Sequence, residues 1–149
     1  MAFLTMSGWF FILCGLAKCG AILGHAKLLR TVDPVVGHLS VRALLIIAAI
    51  LELGVGVFCL SHRSMRARCG ALMWLSSILL MYRFGRWYLD VNQPCPCLGN
   101  IWEWLKIDSA VADKPLGILV LIVWLLSTYH LALAMKTQPR VCAHLSANL

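Results

Sequence analysis

Apolar residues are gathered into four long runs, Phe3–Gly24, Val41–Leu60, Gly70–Leu89 and Leu116–Met135, separated by short polar links. Each run holds about 20 residues, the length an α-helix needs to cross a hydrocarbon core of roughly 30 Å. None alternates polar and apolar positions at period two, which excludes a membrane β-barrel. The pattern predicts an all-α membrane protein: a four-transmembrane-helix up-down bundle forming a single domain over residues 1–149. The first run lacks a basic leading segment and exceeds the apolar length of a signal peptide, so it is read as a helix. Lys18 within it is expected to snorkel to the headgroups.

The links add detail. The first, His25 to Ser40, contains Asp33-Pro34, a turn signal. The second, Ser61 to Cys69, permits only an antiparallel hairpin. The third runs from Asp90 to Pro115; its opening Asp90-Val91-Asn92-Gln93-Pro94 ends helix three, and Pro115 suits the first turn of helix four. Within it, Ile101 to Lys106 has helical spacing and two tryptophans, which predicts a short helix lying in the interface.

Composition agrees with this frame, since 61% of residues are hydrophobic and 13% charged. The formal net charge of +7 sits at span ends and in links, so it marks topology rather than a nucleic-acid surface. Arg63, Arg66 and Arg68 in link two lie on the same side as Lys136 and Arg140 after helix four. Lys27, Arg30 and Arg42 lie opposite. This bias predicts cytoplasmic N and C termini.

Link three carries the sharpest chemistry, Cys95-Pro96-Cys97-Leu98-Gly99. Two cysteines one residue apart close only a small, strained ring, and strain makes a disulfide exchangeable. Pro96 presets the backbone and Gly99 permits the following turn. The pair reads as a redox-active dithiol that passes oxidising equivalents to a substrate. Three other readings stand beside it: a loop staple, a soft-metal site for copper or mercury, and a non-catalytic membrane scaffold. Cys19, near the outer end of helix one, is a candidate resolving thiol. Cys14, Cys59, Cys69 and Cys142 read as small buried hydrophobes.

Inside the runs, Glu52 stands near the middle of helix two, while Arg83 and Arg86 share one face of helix three. Glu52 and Arg83 differ in depth by only about 5–8 Å, which predicts an ion pair between them. Such a pair clips helices together, or tunes the dithiol and a lipid-soluble electron acceptor such as a membrane quinone. Gly15, Gly20, Gly54 and Gly56 are expected at close helix contacts. His130 is expected to be an interior polar residue.

Four helices, the run Glu52-Leu53-Gly54-Val55-Gly56 and the Cys95–Gly99 motif together resemble the DoxX-like membrane superfamily. The nearest branch is the MauE-like, redox-associated group named for methylamine utilisation. The resemblance implies a multi-pass protein of the bacterial inner membrane that assists disulfide formation or maturation of exported proteins. Its partner would then be an exported or periplasmic thiol protein. Many members of that group read Cys-Gly-Cys-Phe-Gly, so Pro96 and Leu98 are departures from their pattern.

Overall fold

A computed structural model describes residues 2–23, 29, 31–91 and 109–136. Among them lie four helices and no strand beyond one isolated Val32–Ser40 bridge: α1 (Ala2–Leu23), α2 (Val41–Ser61), α3 (Met65–Tyr88) and α4 (Ser109–Lys136). Three segments are long and apolar enough to cross a membrane: α1, α2 and Pro115–Lys136 of α4. At 24 residues α3 is as long as its neighbours, but Arg66, Arg68, Arg83 and Arg86 occupy its end turns and make it more polar. Leu13, Ile50, Val57, Ile118 and Leu125 are at least half exposed, as side chains facing lipid are.

The helices run antiparallel in two closely packed pairs, α1 with α2 and α3 with α4. In the first pair Gly8 faces Gly56 and Gly15 faces Ala49. In the second, Trp124 Nε1 donates to Ser77 Oγ at 2.9 Å, and Arg66 Nη2 donates to the Ala134 carbonyl at 2.8 Å. That last bond ties the first turn of α3 to the last turn of α4. All four helices feed one core of Leu4, Phe11, Cys59, Cys69, Leu72, Leu75 and Val123.

Two helix ends follow ordinary capping chemistry, the start of α2 and the end of α3. Ser40 Oγ accepts the Ala43 N–H at 3.2 Å and starts α2. At the far end of α3, Asp90 N–H bonds Trp87 O and Val91 N–H bonds Arg86 O. With Asp90 at φ 48°, this is a Schellman ending, the aspartate tolerating a left-handed backbone better than most residues do. Helix three therefore stops just before the Asp90–Pro94 stretch, as expected.

Three expectations change. Link two shrinks to His62–Ser64, so Arg66 and Arg68 belong to the first turn of α3; Arg68 is buried and only Arg63 is a link residue. Helix four begins at Ser109, not at Pro115, which lies inside it. Proline removes its own N–H from the ladder and its ring crowds the carbonyl four residues earlier, a local cost within a 28-residue helix. Gly20 and Gly54 border open space, whereas Gly8, Gly15 and Gly56 make the close contacts. Small residues matter only on the face that meets another backbone, and Gly20 and Gly54 lie off that face. The interfacial helix expected over 101–106 lies outside the described residues.

A Cβ on Gly56 would stand 2.7 Å from Ile12 Cγ1 and 2.9 Å from the Gly8 carbonyl oxygen, a backbone atom that cannot step aside. Gly56→Leu should therefore destabilise the protein by about 1–3 kcal/mol through overpacking. Gly54→Leu, on an open face, should fall within about 0.5 kcal/mol of the unmodified protein. Denaturation of both variants in detergent micelles, followed by circular dichroism, checks the contrast.

Candidate functional site

Polar side chains inside these helices converge on one small cavity. Its volume is about 30 Å³, and all four helices contribute to its wall. Cys14 and Lys18 come from α1, Glu52 from α2, Tyr82 and Arg83 from α3, and Leu116 and Val120 from α4. A cavity of that size with several polar neighbours holds a water molecule.

The strongest contact there joins Lys18 to Glu52. Lys18 Nζ lies 2.7 Å from Oε1 and 2.6 Å from Oε2, with both side chains at 5% exposure or less. Two expectations fall with this geometry. Lys18 does not snorkel to the headgroups; it turns inward. Glu52 takes Lys18 as its ion partner, in place of the pairing expected with Arg83. The cause is the tight α1–α2 approach at Gly8, Gly15 and Gly56, which brings a lysine on α1 closer to Glu52 than an arginine on the more loosely packed α3. Arg83 borders the same cavity, with its guanidinium lying against Gly117 in the space a Cβ there would need.

A second polar cluster sits where link one meets the end of α3. Asp33 is fully buried. Its Oδ1 accepts the Val35 and Val36 N–H groups at 2.9 and 3.1 Å, closing an Asx turn. Oδ2 accepts the Tyr82 hydroxyl at 2.6 Å, and the buried Arg86 hydrogen-bonds Tyr82 in turn. Val35 packs onto Gly85 so closely that any side chain there would collide. Thus Asp33-Pro34 is the predicted turn, and Asp33 is also a buried tether between link and helix. Only the Asx-forming residue type hinted at that second role. A carboxylate in a loop carries no depth signal in the sequence.

Between α2 and α3 lies a larger apolar cavity of about 380 Å³, lined mainly by Leu45, Ala48, Leu51, Leu75 and Ile78, with Lys18 and Tyr82 at its border. Exposed Ile47 and Met81 stand at its edge, so it opens toward the surrounding lipid.

Other predicted residues are placed separately. Cys14 is buried beside the ion pair, and Cys19 is half-buried one residue beyond Lys18. Cys59 and Cys69 are fully buried, as expected of small hydrophobes. His130 stacks on Phe3 with ring centroids 5.7 Å apart. Cys95, Pro96, Cys97, Gly99 and Cys142 lie outside the described residues. No group of three or more His, Cys, Asp or Glu side chains capable of holding a metal occurs among the described residues. No protein-family model matches the chain, and no characterised protein or solved structure is significantly similar to it.

Removing either member of the Lys18–Glu52 pair leaves a charge stranded in a medium of low dielectric constant. Lys18→Met or Glu52→Leu alone should cost about 3–5 kcal/mol, while the double variant should recover most of that loss. A double-mutant cycle of unfolding free energies in detergent measures the coupling. Equal and additive losses would show that the pair is not a unit. Tyr82→Phe should release the Asp33 turn, raising hydrogen exchange at the Val35 and Val36 amides several-fold without altering the helices.

Proposed function

We propose that this protein is a four-transmembrane-helix, membrane-embedded thiol–disulfide redox protein whose Cys95/Cys97 pair faces outward and assists disulfide formation or maturation of exported proteins. The observation that carries the reading is the Cys95-Pro96-Cys97 motif in the link that joins α3 to α4. The proposal extends to kinship with the MauE-like branch of the DoxX-like superfamily, and to a bacterial inner membrane with both termini cytoplasmic. In this reading α3, despite its arginines, spans the membrane with the other three.

Chain direction supports the pairing of motif and platform. Link three leaves the end of α3 that carries Tyr82, Arg83 and Arg86, and the Asp33 tether holds link one against that same end. Half-buried Arg83 and buried Arg86 supply positive potential there, which favours thiolate in any cysteine brought near. Cys19 lies in the last turns of α1 on this side, in keeping with a resolving role.

Exchange with a partner thiol passes through a mixed disulfide. Two thiols become one disulfide and release two electrons and two protons, so a renewed cycle requires a two-electron acceptor. A membrane quinone, reduced to the hydroquinone, balances that step. The apolar cleft between α2 and α3 opens to lipid and is of suitable size for such a molecule.

Trapping thiols in intact cells with a mass-shifting maleimide tests the proposal. Cys95 and Cys97 should be largely oxidised and labelled only after reduction. Cys97→Ser or Cys95→Ser should accumulate mixed disulfides visible on non-reducing gels. A pair that stays reduced in an oxidising compartment, or a Cys95→Ser/Cys97→Ser variant that retains full function, would overturn it. Labelling without permeabilising the cells also reads the orientation.

A further inference from the structure

At the opposite end of α2 and α3, around the three-residue turn that joins them, three buried groups meet. Cys59 in the last turns of α2 and Cys69 in the second turn of α3 are both fully buried and belong to the same core cluster. Cys59 Sγ lies 3.9 Å from the Arg68 carbonyl oxygen, which places that sulfur within about 7 Å of the Cys69 Cα. The third group is the Arg68 side chain, nine-tenths buried, whose Nε has no hydrogen-bond partner among the described residues. Its guanidinium is within electrostatic reach of both thiols.

An unpartnered guanidinium N–H beside two buried thiols is an anomaly for a purely apolar packing role, because a buried donor left unmade costs about 1–3 kcal/mol. The arrangement is complete if the sulfurs become anionic. We infer that Cys59 and Cys69 form a two-coordinate site for copper(I), with Arg68 as the fixed countercharge. Binding replaces two S–H protons with one metal ion: Cu⁺ and two thiols give a bis-thiolate copper anion and two released protons, with no change of oxidation state. The complex carries one negative charge, and Arg68 cancels it within the protein interior.

Charge and coordination number select the metal. Thiolates favour soft ions. Zinc is usually held by four ligands, and no third carboxylate, imidazole or thiol joins this pair among the described residues. A divalent ion on two thiolates would also be neutral and leave Arg68 uncompensated. Two further soft donors mark a way in from the surface. His62, three residues after Cys59, is exposed, and its Nδ1 accepts the Ser64 N–H, leaving Nε2 available. Met65, one turn before Cys69 on the same face of α3, is 39% exposed. An outer donor thus stands beside each inner thiol, His62 just past the end of α2 and Met65 at the start of α3.

This site is independent of Cys95 and Cys97, and the test separates the two. The full chain carrying Cys95→Ser/Cys97→Ser, purified in detergent under reducing, anaerobic conditions, is titrated with tetrakis(acetonitrile)copper(I) against bicinchoninate. One copper per chain should be retained, with two protons released and two sulfur ligands in the copper X-ray absorption spectrum. Adding Cys59→Ala or Cys69→Ala should weaken binding at least 100-fold, and Arg68→Gln roughly 10-fold, with helicity by circular dichroism unchanged. The absorption spectrum needs neither core substitution, so a misfolded variant leaves the ligand set readable. Failure to retain copper, a ligand set without two sulfurs, or retention unaffected by the cysteine substitutions would overturn the inference. So would a Cys59–Cys69 disulfide in the freshly purified protein.

Discussion

A carboxylate and an ammonium buried together between two membrane-length helices set the terms for the rest of this molecule. Lys18 and Glu52 lie 2.6 Å apart with almost no exposure, so each charge depends on the other to offset the cost of its burial. Their attraction requires α1 and α2 to meet in one register, and that register rests on glycine at positions 15 and 56, with a tight fit at Gly8. A slip of one residue would turn the lysine off the interface by about 100°. The ion pair and the glycine contacts are therefore one constraint seen from two sides: packing brings the charges together, and the charges reject other packings.

Around that pair the polar residues sort by depth. Cys14, Tyr82 and Arg83 border the same small cavity, and Arg86 and Asp33 continue the polar path through Tyr82 to link one. The path ends at the side of the protein from which link three departs. An apolar cleft opens beside it toward the lipid. A thiol-exchange role for Cys95 and Cys97 draws on this layout, with cations near one end and a lipophilic cavity alongside. At the other end Cys59, Arg68 and Cys69 form a separate buried group whose chemistry is that of a soft cation rather than of disulfide exchange.

Much of the frame was legible along the chain. Helix positions follow from run length, because a helix in lipid must satisfy its backbone internally and must be long enough to span. The Asp33 turn, the α2–α3 hairpin and the end of α3 at Asp90 each rest on local chemistry and were readable for that reason. The start of α4 was not, since Pro115 is tolerated at interior as well as first-turn positions and gives no unique boundary. Gly20 and Gly54 look identical to Gly15 and Gly56 in sequence. Only the face that meets a neighbour distinguishes them.

The same division runs through the site. From the sequence alone come the buried carboxylate at Glu52, the arginines at one end of α3 and the Cys95-Pro96-Cys97 motif, because each is conspicuous in an apolar or loop context. Partner choice came only from tertiary structure. Depth along a helix follows from counting residues, but proximity across helices depends on which pairs pack closely and at what rotation. By depth Arg83 could reach Glu52, yet α1 lies against α2, and Lys18 takes the carboxylate. Cys59, Arg68 and Cys69 were likewise one bland hydrophobe, one link charge and another bland hydrophobe until a three-residue turn folded them together.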